Sequence, residues 1–271
     1  MNNFDEKQSI KQDTYPSFIQ SLAILGIIFL CMLLFLPLIM WGDAILRMDI
    51  VFLFYYLLAM GSAFGAVHLI RKQKTGQVSY SFKPFPWYFI LIIPLIALGL
   101  QIGVTLPMIQ WLPYPAELIE AMEIFNQSSW FIGFITLAIV APVIEEFIFR
   151  GIILDGLLKR YSPTFAILMS SLLFAFVHLN PWQFISAMNI GILSGWLYYR
   201  TRNLWLPIFV HVVNNSFPLF LDVFTDIDFS SDLTSLYGGS EWYVLVVLTS
   251  IGIVILGLLF LNWLIPKVVN E

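Results

Sequence analysis

Long apolar stretches alternate with short polar segments along the whole chain. About 20 consecutive apolar residues are needed for a helix to cross a bilayer, and eight stretches approach or exceed that length. We expect a membrane-spanning helix at each of them: roughly 18–41, 50–70, 87–109, 130–158, 162–179, 182–199, 203–221 and 242–265. The pattern predicts an all-α polytopic membrane protein with about eight transmembrane helices, forming a single membrane domain over residues 1–271.

Composition agrees with a location in the membrane. Of the 271 residues, 59% are hydrophobic and 11% are charged, and the mean hydropathy is +0.86. A soluble domain carries about 25% charged residues. Cys31 is the only cysteine, which excludes a disulfide within the chain.

The distribution of positive charge predicts the orientation of the helices. With a cytoplasmic N-terminus, twelve of the thirteen Lys and Arg residues fall on the inner side and only Arg47 falls outside. The predicted outer segments 112–129 and 222–241 contain neither Lys nor Arg. Because cytoplasmic loops are enriched in Lys and Arg, both termini are expected in the cytoplasm. Segment 115–126 alternates apolar and acidic faces at helical spacing and is expected to be a short surface helix.

The fourth predicted helix contains "EEFIFR" within an apolar run. A charge near the centre of a spanning helix costs roughly 2.5 to 3.5 kcal/mol on insertion scales. Glu146 and Arg150 are four residues apart on one helix face, which predicts an ion pair that offsets this cost. Glu145 is rotated by about 100° from that face and has no basic residue within one helical turn. Pro142 should loosen the helix beside it.

Two further helices carry polar groups at one-turn spacing. "FAFVH" ends in His178, and "HVVNN" contains His211 and Asn215. Intramembrane ionisable groups usually face a bundle interior and indicate function. A carboxylate and an imidazole can activate water, while an imidazole and an amide can stabilise an oxyanion. In a straight bundle, however, His178 would lie toward the outer end of its helix and His211 nearer the inner side of the other.

The three motifs EExxxR, FxxxH and HxxxN, complete and in this order, resemble the CPBP family of intramembrane endopeptidases. This family comprises CAAX prenyl proteases and bacteriocin-processing proteins and is also called the Abi family. The likeness covers residues 130–220, which we expect to be the protease core. The resemblance implies that Glu145 and His178 activate water and that His211 and Asn215 form the oxyanion site. It also implies that Glu146 and Arg150 hold the helix together.

The resemblance leaves two alternatives. Glu145, His178 and His211 could instead form a His₂Glu zinc site with an open fourth position, although we favour metal-free catalysis. A proton-coupled transporter or a non-proteolytic immunity or scaffold protein could also bury these groups. Other intramembrane proteases fit less well: HExxH is missing, an aspartate dyad cannot be built, and "GILSG" around Ser194 departs from GxSG.

The expected partners follow from the membrane location and from the resemblance. We expect a peptide or lipid-modified protein substrate, contact with membrane lipid, and no nucleic acid. The expected location is the cell membrane, as a multi-pass integral protein. His68, near the inner end of the second helix, is interpreted as a packing residue.

Overall fold

The computed structural model describes residues 14–113, 129–224 and 233–265, with side chains omitted at 222–224. Every regular element in these residues is helical. The predicted surface helix at 115–126 lies outside the described residues, and so do residues 225–232 of the acidic segment 222–241.

In the part of the chain that the structure describes, a long helix lies at each of the eight predicted positions. Their bounds are α1 Phe18–Trp41, α2 Met48–Thr75, α3 Phe89–Ile109, α4 Trp130–Leu158, α5 Pro163–Phe176, α6 Pro181–Thr201, α7 Trp205–Phe224 and α8 Ser240–Leu264. Short helical turns, Gly42–Ala44 and Leu233–Leu236, follow α1 and precede α8. The fold class predicted from the sequence is confirmed: the protein is an all-α, polytopic membrane protein.

Five of these helices, α1, α2, α3, α4 and α8, are long and apolar enough to cross a membrane. The 14 residues of α5 extend only about 21 Å at 1.5 Å per residue, less than the roughly 30 Å hydrocarbon core. The count of eight spans and the cytoplasmic termini stay predictions. On α8, large apolar side chains such as Leu248 and Leu256 are exposed, as expected of a surface that faces lipid.

Helix α4 lies at the centre of the bundle. Ile148, Phe149, Ile152 and Leu154 are completely buried, because α2, α5, α6 and α7 pack around it. A helix that is apolar on all sides is buried by neighbouring helices or by lipid. The polar groups of α4 are therefore held in a closely packed environment.

The backbone of α4 departs from regular α-helix on both sides of the two glutamates. Residues 135–140 and 149–154 form π-helical turns, and Ala141–Ile148 is α-helical between them. The first π turn ends at Val140, two residues before Pro142, so the loosening expected at this proline takes the form of wider helical turns. Such turns are frequent at functional sites.

Local sequence signals define the ends of the site-bearing helices. The Ser162 side chain caps α5 by accepting a hydrogen bond from Phe165 N, and Asn180 caps α6 in the same way through Trp182 N. A proline follows each cap at the first helical position, where its missing N–H costs nothing. His178 thus lies in the turn between α5 and α6, two residues beyond the end of α5. The predicted helix 162–179 was too long at this end.

Candidate active site

Glu146 and Arg150 form the ion pair that their spacing predicts. Arg150 Nη1 lies 2.7 Å from Glu146 Oε1, and both side chains are completely buried. Arg150 Nη2 donates to the Gly191 carbonyl at 3.1 Å, and the guanidinium carbon lies 4.6 Å from the centre of the Phe174 ring. One cation therefore connects α4 to α5 and α6.

Gly191 is required where α6 approaches α5. A Cβ at this position would lie 2.9 Å from Ser171 Cβ, closer than ordinary packing permits. The missing side chain lets the two backbones approach, as is common between membrane helices. It also leaves the Gly191 carbonyl open to Arg150.

His211 lies between the two glutamates. Its Nδ1 is 2.9 Å from Glu146 Oε1, and its Nε2 is 3.7 Å from Glu145 Oε2. An ionised carboxylate only accepts hydrogen bonds, so Nδ1 carries the hydrogen shared with Glu146. Glu146 consequently does more than pair with Arg150: it also fixes the orientation of the His211 ring.

Glu145 is only 9% exposed, and its main contact comes from outside the three motifs. The hydroxyl of Tyr56, on α2, donates a hydrogen bond to Glu145 Oε1. Sequence analysis missed this residue. The sequence offered one weak indication of this contact. Tyr55 and Tyr56 lie well inside a predicted membrane span, whereas tyrosines in membrane proteins usually concentrate at the ends of the spans.

Phe174 removes the difficulty that a straight bundle posed for the two histidines. Its ring centre lies 5.1 Å from that of His178 and 5.3 Å from that of His211, edge-on to both. His178 Nδ1–H donates to the Phe174 carbonyl at 2.9 Å, which leaves Nε2 of the neutral ring as an acceptor. The two imidazoles therefore contact the same phenyl ring.

Asn215 is positioned by the irregular backbone of α4. Its Nδ2 donates to the Leu137 carbonyl at 3.0 Å. In the π turn, Ala141 N bonds to the carbonyl five residues earlier, that of Thr136. The same pattern would pair Leu137 O with the N–H of Pro142, which proline lacks. Asn215 supplies the missing donor and keeps its second amide N–H for another acceptor.

Glu145, His178 and His211 are not gathered into one group of metal ligands: within the described residues, no set of three His, Cys, Asp or Glu side chains is arranged to hold a metal. His211 Nδ1 is bound to Glu146, as the second ring nitrogen of a metal-binding histidine commonly is bound to a carboxylate, so Nε2 is the nitrogen that a metal could use. The His₂Glu zinc alternative and the preference for metal-free catalysis both stay predictions.

The fold and the site together describe a multi-pass membrane protein with a buried carboxylate–imidazole centre. Residues 127–217 match the family described as "Type II CAAX prenyl endopeptidase Rce1-like". This segment contains all three motifs, so this third of the chain is similar to the CAAX endopeptidase family in the region that carries the candidate site.

Two curated relatives match part of the chain. "Putative membrane peptidase YdiL" of Bacillus subtilis (strain 168) is 36% identical over 86 residues, which cover 32% of this chain and 35% of the relative. "Membrane-embedded CAAX protease MroQ" of Staphylococcus aureus (strain USA300) is 32% identical over 94 residues, covering 32% of this chain and 37% of the relative. The match thus spans about a third of the length of each relative. No solved structure matches the chain.

Proposed function

We propose that this protein is an intramembrane endopeptidase that hydrolyses peptide bonds in membrane-associated or hydrophobic substrates. The observation that carries the proposal is the placement of Glu145. Its carboxylate is almost buried in the bundle, is bound by the Tyr56 hydroxyl, and faces an imidazole nitrogen at 3.7 Å. The match of residues 127–217 to the CAAX endopeptidase family supports the same function.

In the proposed reaction, Glu145 and His178 activate a water molecule. One of them takes a proton from the water as its oxygen bonds to the peptide carbonyl carbon. His178 suits this role because its Nδ1–H is occupied by the Phe174 carbonyl, which leaves the Nε2 lone pair to accept a proton. When the tetrahedral intermediate collapses, the C–N bond breaks and the same proton goes to the leaving amine.

His211 and Asn215 would stabilise the negative oxygen of that intermediate. Asn215 has a second amide N–H beyond the one given to Leu137. His211 donates through Nε2 in its protonated form, since Nδ1 already donates to Glu146. The Glu146 charge would compensate an imidazolium there, much as a carboxylate supports histidine in other hydrolases. Glu146 and Arg150 act as positioning residues.

The proposed substrate class is a hydrophobic peptide or a lipid-modified protein. The glutamates lie on a helix of 29 residues that is apolar enough to span a membrane, so the scissile bond must enter from the bilayer or its surface. Of the relatives, MroQ is named as a CAAX protease. A prenylated C-terminal peptide is thus the first substrate to test.

The experiment compares cleavage of prenylated and unmodified hydrophobic peptides by purified protein in liposomes. Wild-type protein should cleave at least one class, and Glu145→Gln should reduce the rate by about 10² to 10⁴, the usual contribution of a general base. Glu241→Gln, at an exposed glutamate in the first turn of α8, is the matched control and should retain activity. Cleavage that survives Glu145→Gln would contradict the mechanism, and a cellular function that survives it would favour the scaffold alternative.

A further inference from the structure

A polar cavity of about 170 Å³ lies apart from the glutamates, where α2, α4 and α6 meet the segment 77–81. Asp155 in its wall is ten residues beyond Glu145 on α4, about 15 Å along the helix axis. One water molecule occupies about 30 Å³ in the liquid, so the cavity can hold a polyatomic ligand. None of its lining residues has a part in the proposed peptidase chemistry.

The charges around this cavity do not balance. Asp155 is approached by three cations: Lys159 at 2.8 Å, Arg202 at 3.4 Å and Arg71 at 3.8 Å. In the part of the chain that the structure describes, Asp155 is the only acid paired with any of them. One carboxylate among three cations leaves an excess of two positive charges, which favours an anionic ligand.

Arg71 provides a second, independent indication. Its side chain is 2% exposed and lines the cavity, yet its Nη1 has no hydrogen-bond partner within the described ranges. The other terminal nitrogen, Nη2, is 3.4 Å from the Ser79 carbonyl and 3.8 Å from Asp155 Oδ2. A buried donor without an acceptor is unfavourable. A ligand oxygen in the cavity would relieve this cost.

The wall opposite Arg71 is held in a fixed position. The Tyr80 ring lies 4.7 Å below the guanidinium, and its hydroxyl is 2.8 Å from His68 Nδ1. A Cβ at Gly151 would lie 2.9 Å from the same ring, so Tyr80 packs directly on the α4 backbone. Packing against α4 and the hydrogen bond with His68 therefore hold Tyr80 in the cavity wall.

We propose that this cavity binds a phosphate group, either that of a phospholipid headgroup or that of a free phosphate. Arginine is suited to phosphate because its planar donors match the oxygens in pairs. The site lies beside the C-terminal end of α2, at the side of the bundle that the charge distribution assigns to the cytoplasm. Basic pockets between membrane helices at this level recognise anionic headgroups. The proposal does not depend on the peptidase activity.

The test uses delipidated full-length protein in detergent. Its thermal unfolding midpoint is followed while phosphatidylglycerol, uncharged diacylglycerol or inorganic phosphate is added, since a ligand of the native state raises the midpoint. Phosphatidylglycerol should stabilise the protein and diacylglycerol should not. Stabilisation by inorganic phosphate as well would identify free phosphate as a ligand, whereas stabilisation by the lipid alone would identify the headgroup.

Three variants separate the site from general charge effects. Arg202→Gln, at a partly exposed position, should raise the phosphatidylglycerol concentration that gives half of the maximal midpoint shift by about tenfold, as expected for the loss of one charge-assisted hydrogen bond. Asp155→Asn should lower this concentration, because the carboxylate that competes with the ligand for the arginines is gone. Structural damage would not produce tighter binding. Lys72→Gln, at the exposed position next to Arg71, should leave this concentration unchanged.

Three results would overturn the proposal. The first is that neither phosphatidylglycerol nor phosphate shifts the unfolding midpoint of the wild-type protein. The others are that Arg202→Gln and Lys72→Gln give the same response, or that Asp155→Asn binds the ligand more weakly than the wild-type protein. If Asp155→Asn does not fold, the comparison of Arg202→Gln with Lys72→Gln decides the matter.

Discussion

The same isosteric change at the two adjacent glutamates of α4 should affect stability differently. Glu146→Gln removes the charge that pairs with Arg150, whose side chain is completely buried. It also places an amide NH₂ near the position of Glu146 Oε2, which has no hydrogen-bond partner among the described residues. Glu145→Gln keeps an oxygen that can accept from Tyr56 and leaves the Glu146–Arg150 pair intact.

The size of the effect follows from the burial of the pair. Removing one partner of a buried ion pair costs about 3 to 5 kcal/mol. At about 2 to 4 °C per kcal/mol, the scale for globular domains of 150 to 250 residues, Glu146→Gln should lower the unfolding midpoint by about 6 to 20 °C. The Gly191 carbonyl and the Phe174 ring still contact Arg150, so the lower half of this range is expected.

The assay measures thermal unfolding in detergent together with peptide cleavage. Glu145→Gln should fold with a nearly unchanged midpoint and lose activity, while Glu146→Gln should lose both stability and activity. The double variant Glu146→Gln with Arg150→Met should recover part of the stability, because no unpaired charge remains. A stable Glu146→Gln beside an unfolded Glu145→Gln would reverse the assignment of the base and the positioning residue.

Three other predictions test the orientation, the cofactor and the contact from α2. Accessibility tags should report residue 78 in the cytoplasm and residue 230 outside, and an outward signal at 78 would refute the eight-helix topology. Cleavage should withstand EDTA and phenanthroline, whereas stoichiometric zinc that is lost with His211→Ala would establish the metal-dependent alternative. Tyr56→Phe should lower the cleavage rate by about tenfold or more, since it removes a hydrogen bond to a charged group. The matched control is Tyr55→Phe, because the Tyr55 hydroxyl donates to the Met32 carbonyl at 3.4 Å and not to Glu145. Equal losses in both variants would argue against a specific role for Tyr56.

Much of the site could be anticipated from local spacing. The Glu146–Arg150 pair needed only the four-residue repeat of a helix, which places both side chains on one face in almost any fold. His211 and Asn215 are related in the same way on α7. The loosening near Pro142 also followed from the sequence, because proline lacks the N–H that a helix interior requires.

Other parts of the site depend on contacts between residues that are far apart in the chain, which the spacing of residues within one helix does not predict. Tyr56 meets Glu145 across 89 positions of the chain, and the unpaired Leu137 carbonyl meets Asn215 across 78. His178 and His211 lie on separate helical segments and meet at Phe174, and hydropathy did not show that α5 ends at Phe176, since the apolar run continues past that residue. Ends of helices inside an apolar run depend on capping and packing more than on hydrophobicity.

The sequence alone determined that this protein is a bundle of membrane helices and which side chains carry the candidate chemistry. Both follow from one-dimensional properties: the length of apolar runs, the helical repeat, and the high cost of a charge in lipid. The tertiary structure decided how those side chains are used. It turned Glu146 into a shared acceptor for Arg150 and His211, gave Glu145 a tyrosine donor, and gathered three cations around Asp155. These contacts join separate helices, and their geometry is set by how closely the helices pack.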